Sequence, residues 1–189
     1  GAVKLANHFD HNVYVSSSQA ISASNKVLFD ELGVLFEADK HTNKYLKCSN
    51  LIIKSPGVSP NISILKEARL RKIPIISEIE FAFRKTSSKI IGITGTNGKT
   101  TTARLLHFIL TNAGFSVALG GNIGISFSEC VLNNQTDYYI LELSSFQLED
   151  IQNFKPSIAI ILNIEKDHLD RYNNDFEAYD EDSECQLNY

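Results

Sequence analysis

One stretch constrains the fold more than any other. An apolar run, Lys89-Ile90-Ile91-Gly92-Ile93-Thr94, leads into Gly95-Thr96-Asn97-Gly98-Lys99-Thr100-Thr101 and then a helical segment reaching about Ala113. A strand that passes through a glycine-rich turn into a helix is a building block of parallel α/β sheets. Glycines let successive backbone N–H groups converge on a phosphate that side chains would keep away. The helix N-terminus adds partial positive charge at the same point. Lys99 has the reach for terminal phosphates, and the Thr100 hydroxyl can ligate Mg²⁺. Ile93 stands where the longer phosphate-loop pattern has its first glycine, which leaves the shorter form Gly-x-x-Gly-Lys-Thr. A tight turn with an incidental lysine is the plainer reading of the same letters.

The remaining sequence alternates in the same way. Strands are expected at 11–17, 51–57, 73–77, 115–120, 137–143 and 157–164. Helices are expected over the opening residues, at 20–32 with Gly33 as its stop, and along the stripe Ile62, Leu65, Ala68 and Leu70. EIEFAF and SSFQLEDI (144–151) read as two more, with Phe146 and Leu148 expected in the core. Strands separated by helices imply crossover connections and a mostly parallel sheet. The polar stretch 84–89 marks a boundary between an α/β unit at 1–86 and a second, nucleotide-binding α/β unit at 87–189.

Composition narrows the function classes. A net charge of −4 gives no sign of the basic face that an electrostatic nucleic-acid binder needs. No apolar run approaches the ~20 residues of a membrane span, and the first ten residues lack a secretory signal's apolar core. Cys48, Cys130 and Cys185 have no metal-type spacing and read as reduced cytosolic thiols. The expectation is a cytoplasmic protein. With no methionine and a start directly on a helix, the chain looks cut at its front.

Glu142 ends the apolar run YYILE, where open parallel sheets place their ligands. A buried carboxylate between Leu141 and Leu143 needs a partner. Mg²⁺ bridging phosphates would serve, as would a helix cap or a lysine. His168, between Asp167 and Leu169 and followed by Asp170, can be an oriented metal ligand or a solvated loop histidine. Ser144 can be a helix N-cap, and the glycines at 120, 121 and 124 can simply make a turn.

Taken together, GTNGKTT (95–101), GGNIG (120–124), LELSSFQL (141–148) and LNIEKDHLDRY (162–172) closely resemble the Mur ligases, in register. SPGVSPN (55–61) and SEIEF (77–81) resemble the first domain of that family. GGNIG with LELSSFQL is similar to the branch that adds D-glutamate to UDP-N-acetylmuramoyl-L-alanine. The resemblance implies a Rossmann-like UDP-sugar-binding domain, a phosphate-loop central domain, and ATP and Mg²⁺ as cofactors. It implies that ATP phosphorylates the substrate's alanine carboxylate and that the D-glutamate amine displaces phosphate from the acyl phosphate. By that pattern Gly95, Thr96, Asn97, Gly98, Lys99, Thr100 and Thr101 hold ATP, with Lys99 on the transferring phosphate. Thr100 and Glu142 hold one Mg²⁺, and His168 a second. Asn122, Ser144 and Gln147 contact the muramoyl-alanine substrate, Ser55, Pro56 and Gly57 shape the nucleotide-sugar site, and Asn163 and Arg171 lie near the reacting groups. A monomer is implied.

Three departures from the family pattern stand out. By that pattern the chain is expected to lack the family's first strand and glycine-containing loop, and its third domain. Ser183, four residues after Tyr179, occupies the position of a family lysine. The 189-residue chain alone is therefore expected to bind Mg·ATP weakly and to form no product. The alternatives are a ligase for another amino acid, a folylpolyglutamate-type ligase, or an ATP-binding remnant without catalysis.

Overall fold

The computed structural model describes residues 1–133 and 136–164. Its widest sheet grows from the isoleucine-rich run around β5 (Lys89–Thr94), which lies between two neighbours and is buried along nearly its whole length. Such a strand must be apolar on both faces, which explains an unbroken run rather than an alternating one. β7 (Tyr138–Glu142) and β8 (Ile158–Ile161) flank it, and β6 (Val117–Gly121) pairs outside β7, giving the order β6-β7-β5-β8 with every pair parallel. α5 (Lys99–Asn112) connects β5 to β6 and packs Ala103 against Ile91, Ile93 and Ile140.

The first half contributes two small parallel sheets. β1 (Tyr14–Ser16) pairs with β2 (Leu35–Glu37), and β3 (Ile52–Lys54) with β4 (Ile75–Ser77). α1 (Ala2–His8), α2 (Ala23–Glu31), α3 (Ser63–Leu70) and α4 (Glu78–Phe83) complete this half. Ser22 and Ser77 cap α2 and α4 by accepting N–H bonds from Asn25 and Glu80. Glu37, the last residue of β2, is held well below the usual carboxylate range, at about 2. Burial alone would raise it, but the Thr42 N–H, the hydroxyls of Thr42 and Ser16, and Tyr14 all donate to it and prevail.

The expected fold class is the observed one: α/β with parallel sheets, in the order of a Rossmann-like half and a phosphate-loop half. Three elements escaped the sequence reading. β2 is a three-residue strand, Leu46–Cys48 form a single 3-10 turn, and α6 (Phe127–Asn133) is a seven-residue helix with Phe127 and Cys130 buried. All are too short to display a clear period. Leu70, expected on the buried stripe of α3, is 80% exposed at the helix's last turn.

One core runs through both halves. Leu5, Ile76, Ile79, Phe81 and Ala82 pack with Ile90, Phe127, Tyr139, Leu141 and Leu148. The motif SEIEF supplies the polar ties across it. Glu78 accepts the N–H of Ser128 at 2.5 Å. Glu80, with no exposed surface, accepts the N–H groups of Gln152, Asn153 and Phe154 and the Arg84 Nε–H.

Candidate functional site

The C-terminal ends of β5 and β7 place the phosphate-loop residues beside Glu142. Gly95 has φ +137, and a Cβ there would come within 3.0 Å of the Asn163 carbonyl oxygen. A side chain would therefore push the loop off Leu162 and Asn163, which follow β8. Asn163 closes on the loop at three points. Its carbonyl accepts from Thr96 N–H at 3.0 Å, its Oδ1 accepts from Asn97 N–H at 2.8 Å, and its Nδ2 donates to the Asn97 carbonyl at 2.9 Å. Lys99, the first residue of α5, donates from Nζ to the carbonyls of Gly95 and Thr96. The ammonium therefore lies over the mouth of the turn, and among the described residues it is held by main-chain carbonyls rather than by a counter-ion.

At the second residue of α5, the Thr100 hydroxyl donates to Glu142 Oε2 at 2.7 Å. Glu142, only 3% exposed, also accepts from Asn122 Nδ2 at 3.1 Å, and its carbonyl accepts the Asn122 N–H at 2.8 Å. Gly121 makes this possible, because a Cβ there would lie 2.3 Å from the Glu142 carbonyl oxygen. Both side-chain partners of Glu142 are neutral, so neither the helix cap nor the lysine pair considered from sequence accounts for it. Two adjacent hard oxygens, one of them anionic, suit Mg²⁺ beside bound phosphates. Among the described residues no three His, Cys, Asp or Glu side chains cluster as a metal site. A cation there would need ligands from phosphate and water as well.

After β7 the chain turns into α7 (Ser145–Leu148). Ser144 precedes it, and both its N–H and its hydroxyl donate to Gln147 Oε1, at 3.0 and 3.1 Å. Ser144 is thus the N-cap that sequence allowed, and it also faces a cavity of about 400 Å³. Gly95, Thr96, Lys99, Asn122, Ser144, Gln147 and Asn163 line that cavity together with Pro56 and Gly57 from the first half. Ser55, exposed beside them, accepts the Val58 N–H that closes the Ser-Pro-Gly turn. Asn97, Gly98 and Thr101 lie on the exposed side of the loop and first helical turn. His168 and Arg171, like Ser183, lie outside the described residues.

Ser145 and Phe146 also line the cavity. Phe146 is half-buried there rather than packed in the core, whereas Leu148 is buried as expected. Lys54, behind the cavity, was not singled out by sequence. Its signal was a lysine ending the apolar run LIIK just before Ser-Pro-Gly.

Residues 93–184 match the Mur ligase middle domain, and residues 3–64 match the MurD N-terminal domain. The chain belongs to the Mur ligase family. It is 44% identical over 181 residues to the UDP-N-acetylmuramoylalanine–D-glutamate ligase of Cytophaga hutchinsonii, covering 95% of this chain and 40% of that protein. The proteins of the same name from Bacteroides fragilis and Porphyromonas gingivalis are 43% and 41% identical, over 95% and 96% of this chain and again 40% of theirs. The chain thus spans about two-fifths of the length of these Mur ligase relatives. Solved structures carry the same fold. UDP-N-acetylmuramate:L-alanyl-gamma-D-glutamyl-meso-diaminopimelate ligase from Neisseria meningitides superposes with TM-score 0.61 at 17% identity, covering 99% of this chain and 63% of that one. UDP-N-acetylmuramate-alanine ligase from Thermotoga maritima gives 0.57 at 22%, covering 98% and 43%.

Proposed function

We propose that the whole protein is an ATP-dependent ligase of peptidoglycan precursor synthesis, joining D-glutamate to UDP-N-acetylmuramoyl-L-alanine and releasing ADP and phosphate. The observation that carries this reading is the convergence on one cavity of the phosphate loop, the Ser144–Gln147 turn and the Pro56-Gly57 turn. The relatives named for this reaction support it, each matched along nearly the whole of this chain. In this reading residues 1–86 hold the nucleotide sugar and residues 87–189 hold ATP. The protein acts as a cytoplasmic monomer, and no described helix is long and apolar enough to cross a membrane.

The chemistry joins two anions, a phosphate and a carboxylate, so positive charge at the meeting point is the first requirement. Residues 95–101 cradle the phosphates with backbone N–H groups, and Lys99 neutralises the phosphoryl group in transfer. Thr100 and Glu142 hold Mg²⁺, which when bound offsets charge on the phosphate oxygens. Asn122, Ser144 and Gln147 orient the muramoyl-alanine carboxylate towards the phosphate, while Ser55, Pro56 and Gly57 receive the nucleotide end. Asn163 fixes the Thr96–Asn97 peptide that faces the phosphates. His168, as ligand of a second Mg²⁺, and Arg171 act at the reacting groups.

The test is ATP-dependent incorporation of labelled D-glutamate into UDP-N-acetylmuramoyl-L-alanine by the whole protein, with other amino acids in parallel. Incorporation selective for D-glutamate is expected. Mg·ATP binding with no D-glutamate product would replace this reading with another acceptor or with a non-catalytic protein. Glu142→Gln keeps the side chain's size and removes its charge. The Mg²⁺ concentration for half-maximal activity should rise at least ~10–100-fold, the range lost even when outer ligand-orienting groups are removed. An unchanged Mg²⁺ midpoint would take Glu142 out of the metal site.

A further inference from the structure

Lys54 is the last residue of β3 and is only 3% exposed, although it carries an ammonium. Its Nζ lies 3.0 Å from Glu149 Oε2 and 2.7 Å from Asp150 Oδ2. A buried lysine is tolerated when opposite charges surround its head and its stem covers apolar neighbours. What matters is where the three charges sit. Lys54 directly precedes Ser55-Pro56-Gly57, and Glu149 and Asp150 directly follow α7, whose Gln147 lines the cavity. Next to Lys54 in the sheet register, Ser77 donates its N–H to the Asp150 carbonyl at 2.9 Å. The end of the β3–β4 sheet is therefore fastened to the chain leaving α7 by both ion pairs and main chain. Lys54 itself does not line the cavity.

Building on the proposed function, we propose that Lys54 is a positioning residue for the nucleotide-sugar substrate. Its paired ammonium holds the Ser55-Pro56-Gly57 turn in register with the Ser144–Gln147 wall and so sets the distance across the cavity. A general brace for the fold would not need this chemistry, because well-packed apolar side chains serve as well as a buried ion pair. A charge pair adds direction and register. Both ends of this one are continuous with segments lining the cavity, and neither belongs to the phosphate loop. Lys54 should thus govern the nucleotide sugar and leave ATP alone.

The experiment is steady-state kinetics of the whole protein carrying Lys54→Met, which keeps an unbranched stem and removes the charge. The KM for UDP-N-acetylmuramoyl-L-alanine should rise ~10- to 100-fold, the scale lost when a group that orients a binding residue from behind is removed. The KM for ATP and kcat should stay near those of the parent, and Lys54→Arg should recover part of the loss. An equal rise in both KM values, or a fall in kcat alone, overturns the proposal. Should Lys54→Met not fold, Glu149→Gln retains one ion pair and should give the same selective rise, smaller in size. Amide hydrogen exchange reads the fastening without turnover. Residues 55–58 and 144–150 should exchange faster in the variant while α5 does not. If the parent does not ligate D-glutamate, the functional reading fails and exchange alone decides the role of Lys54. Unchanged exchange at both segments rejects it.

Discussion

Replacing Lys99 with alanine in the whole protein should lower turnover ~10²–10³-fold, the usual cost of removing one well-placed electrostatic stabiliser. The ammonium sits at the start of α5 and is held by the carbonyls of Gly95 and Thr96. These are neutral acceptors that a phosphate oxygen can outcompete, so in the proposed reaction the charge would be available where phosphoryl transfer builds up negative charge. The loop's own N–H groups and helix end remain in the variant, so ATP binding should weaken less than turnover falls. Lys99→Arg should not restore the rate, because a planar guanidinium cannot occupy the place of a compact ammonium against these two carbonyls. Single-turnover product formation compared with ATP binding separates the effects. Near-normal turnover in Lys99→Ala would remove this lysine from the mechanism.

Glu80→Ala should destabilise the protein by ~3–5 kcal/mol, the cost typical of breaking a buried charged network from one side. Three consecutive N–H groups, from Gln152 to Phe154, lose their acceptor, and Arg84 loses the carboxylate 2.7 Å from its Nε. Against a usual total of about 5–15 kcal/mol, that leaves little margin. The carboxyl is held below its ordinary value. Burial raises it, but the N–H groups of Gln152 and Asn153, Arg84 and the Phe154 N–H favour the charged form more strongly. The folded-state value is depressed, so this stabilisation is fully present above the ordinary carboxyl value of 4.5 and is lost as pH falls below it. Urea midpoints measured across that window should converge for the parent and the Ala variant as the pH drops. Parallel curves would mean the carboxylate charge is not what holds the segment. The consequence extends to the site, because residues 152–154 join α7 to β8, and both lead into cavity residues.

The phosphate loop was legible because its determinants are local. The apolar run of β5, the two glycines and Lys99 at the helix start all lie within about a dozen consecutive residues. The same holds for Ser144, where a serine after a strand and before a helix is a cap by its position alone. Partners were harder to read. Glu142 clearly needed one, but nothing in YYILEL could say that Thr100 at the start of α5 and Asn122 after β6 would supply it. Asn163 was read as a neighbour of the reacting groups. Folding makes it the clasp of the phosphate loop, through bonds spanning 66 residues.

By itself the sequence determined the parallel α/β class, the order of the two halves and the strand–turn–helix form of the loop, because period, turn residues and motif spacing are short-range properties of the chain. Only the tertiary structure decided that SEIEF ties the halves together through Glu78 and Glu80, and that Lys54 would be buried against Glu149 and Asp150. It also decided that Phe146 would turn to the cavity while Leu148 went to the core. The physical reason is common to all of these. A buried charge or a half-buried ring is placed by whichever partners the folded chain brings within 3–4 Å, and those partners lie ~50–100 residues away, beyond what any local pattern can encode.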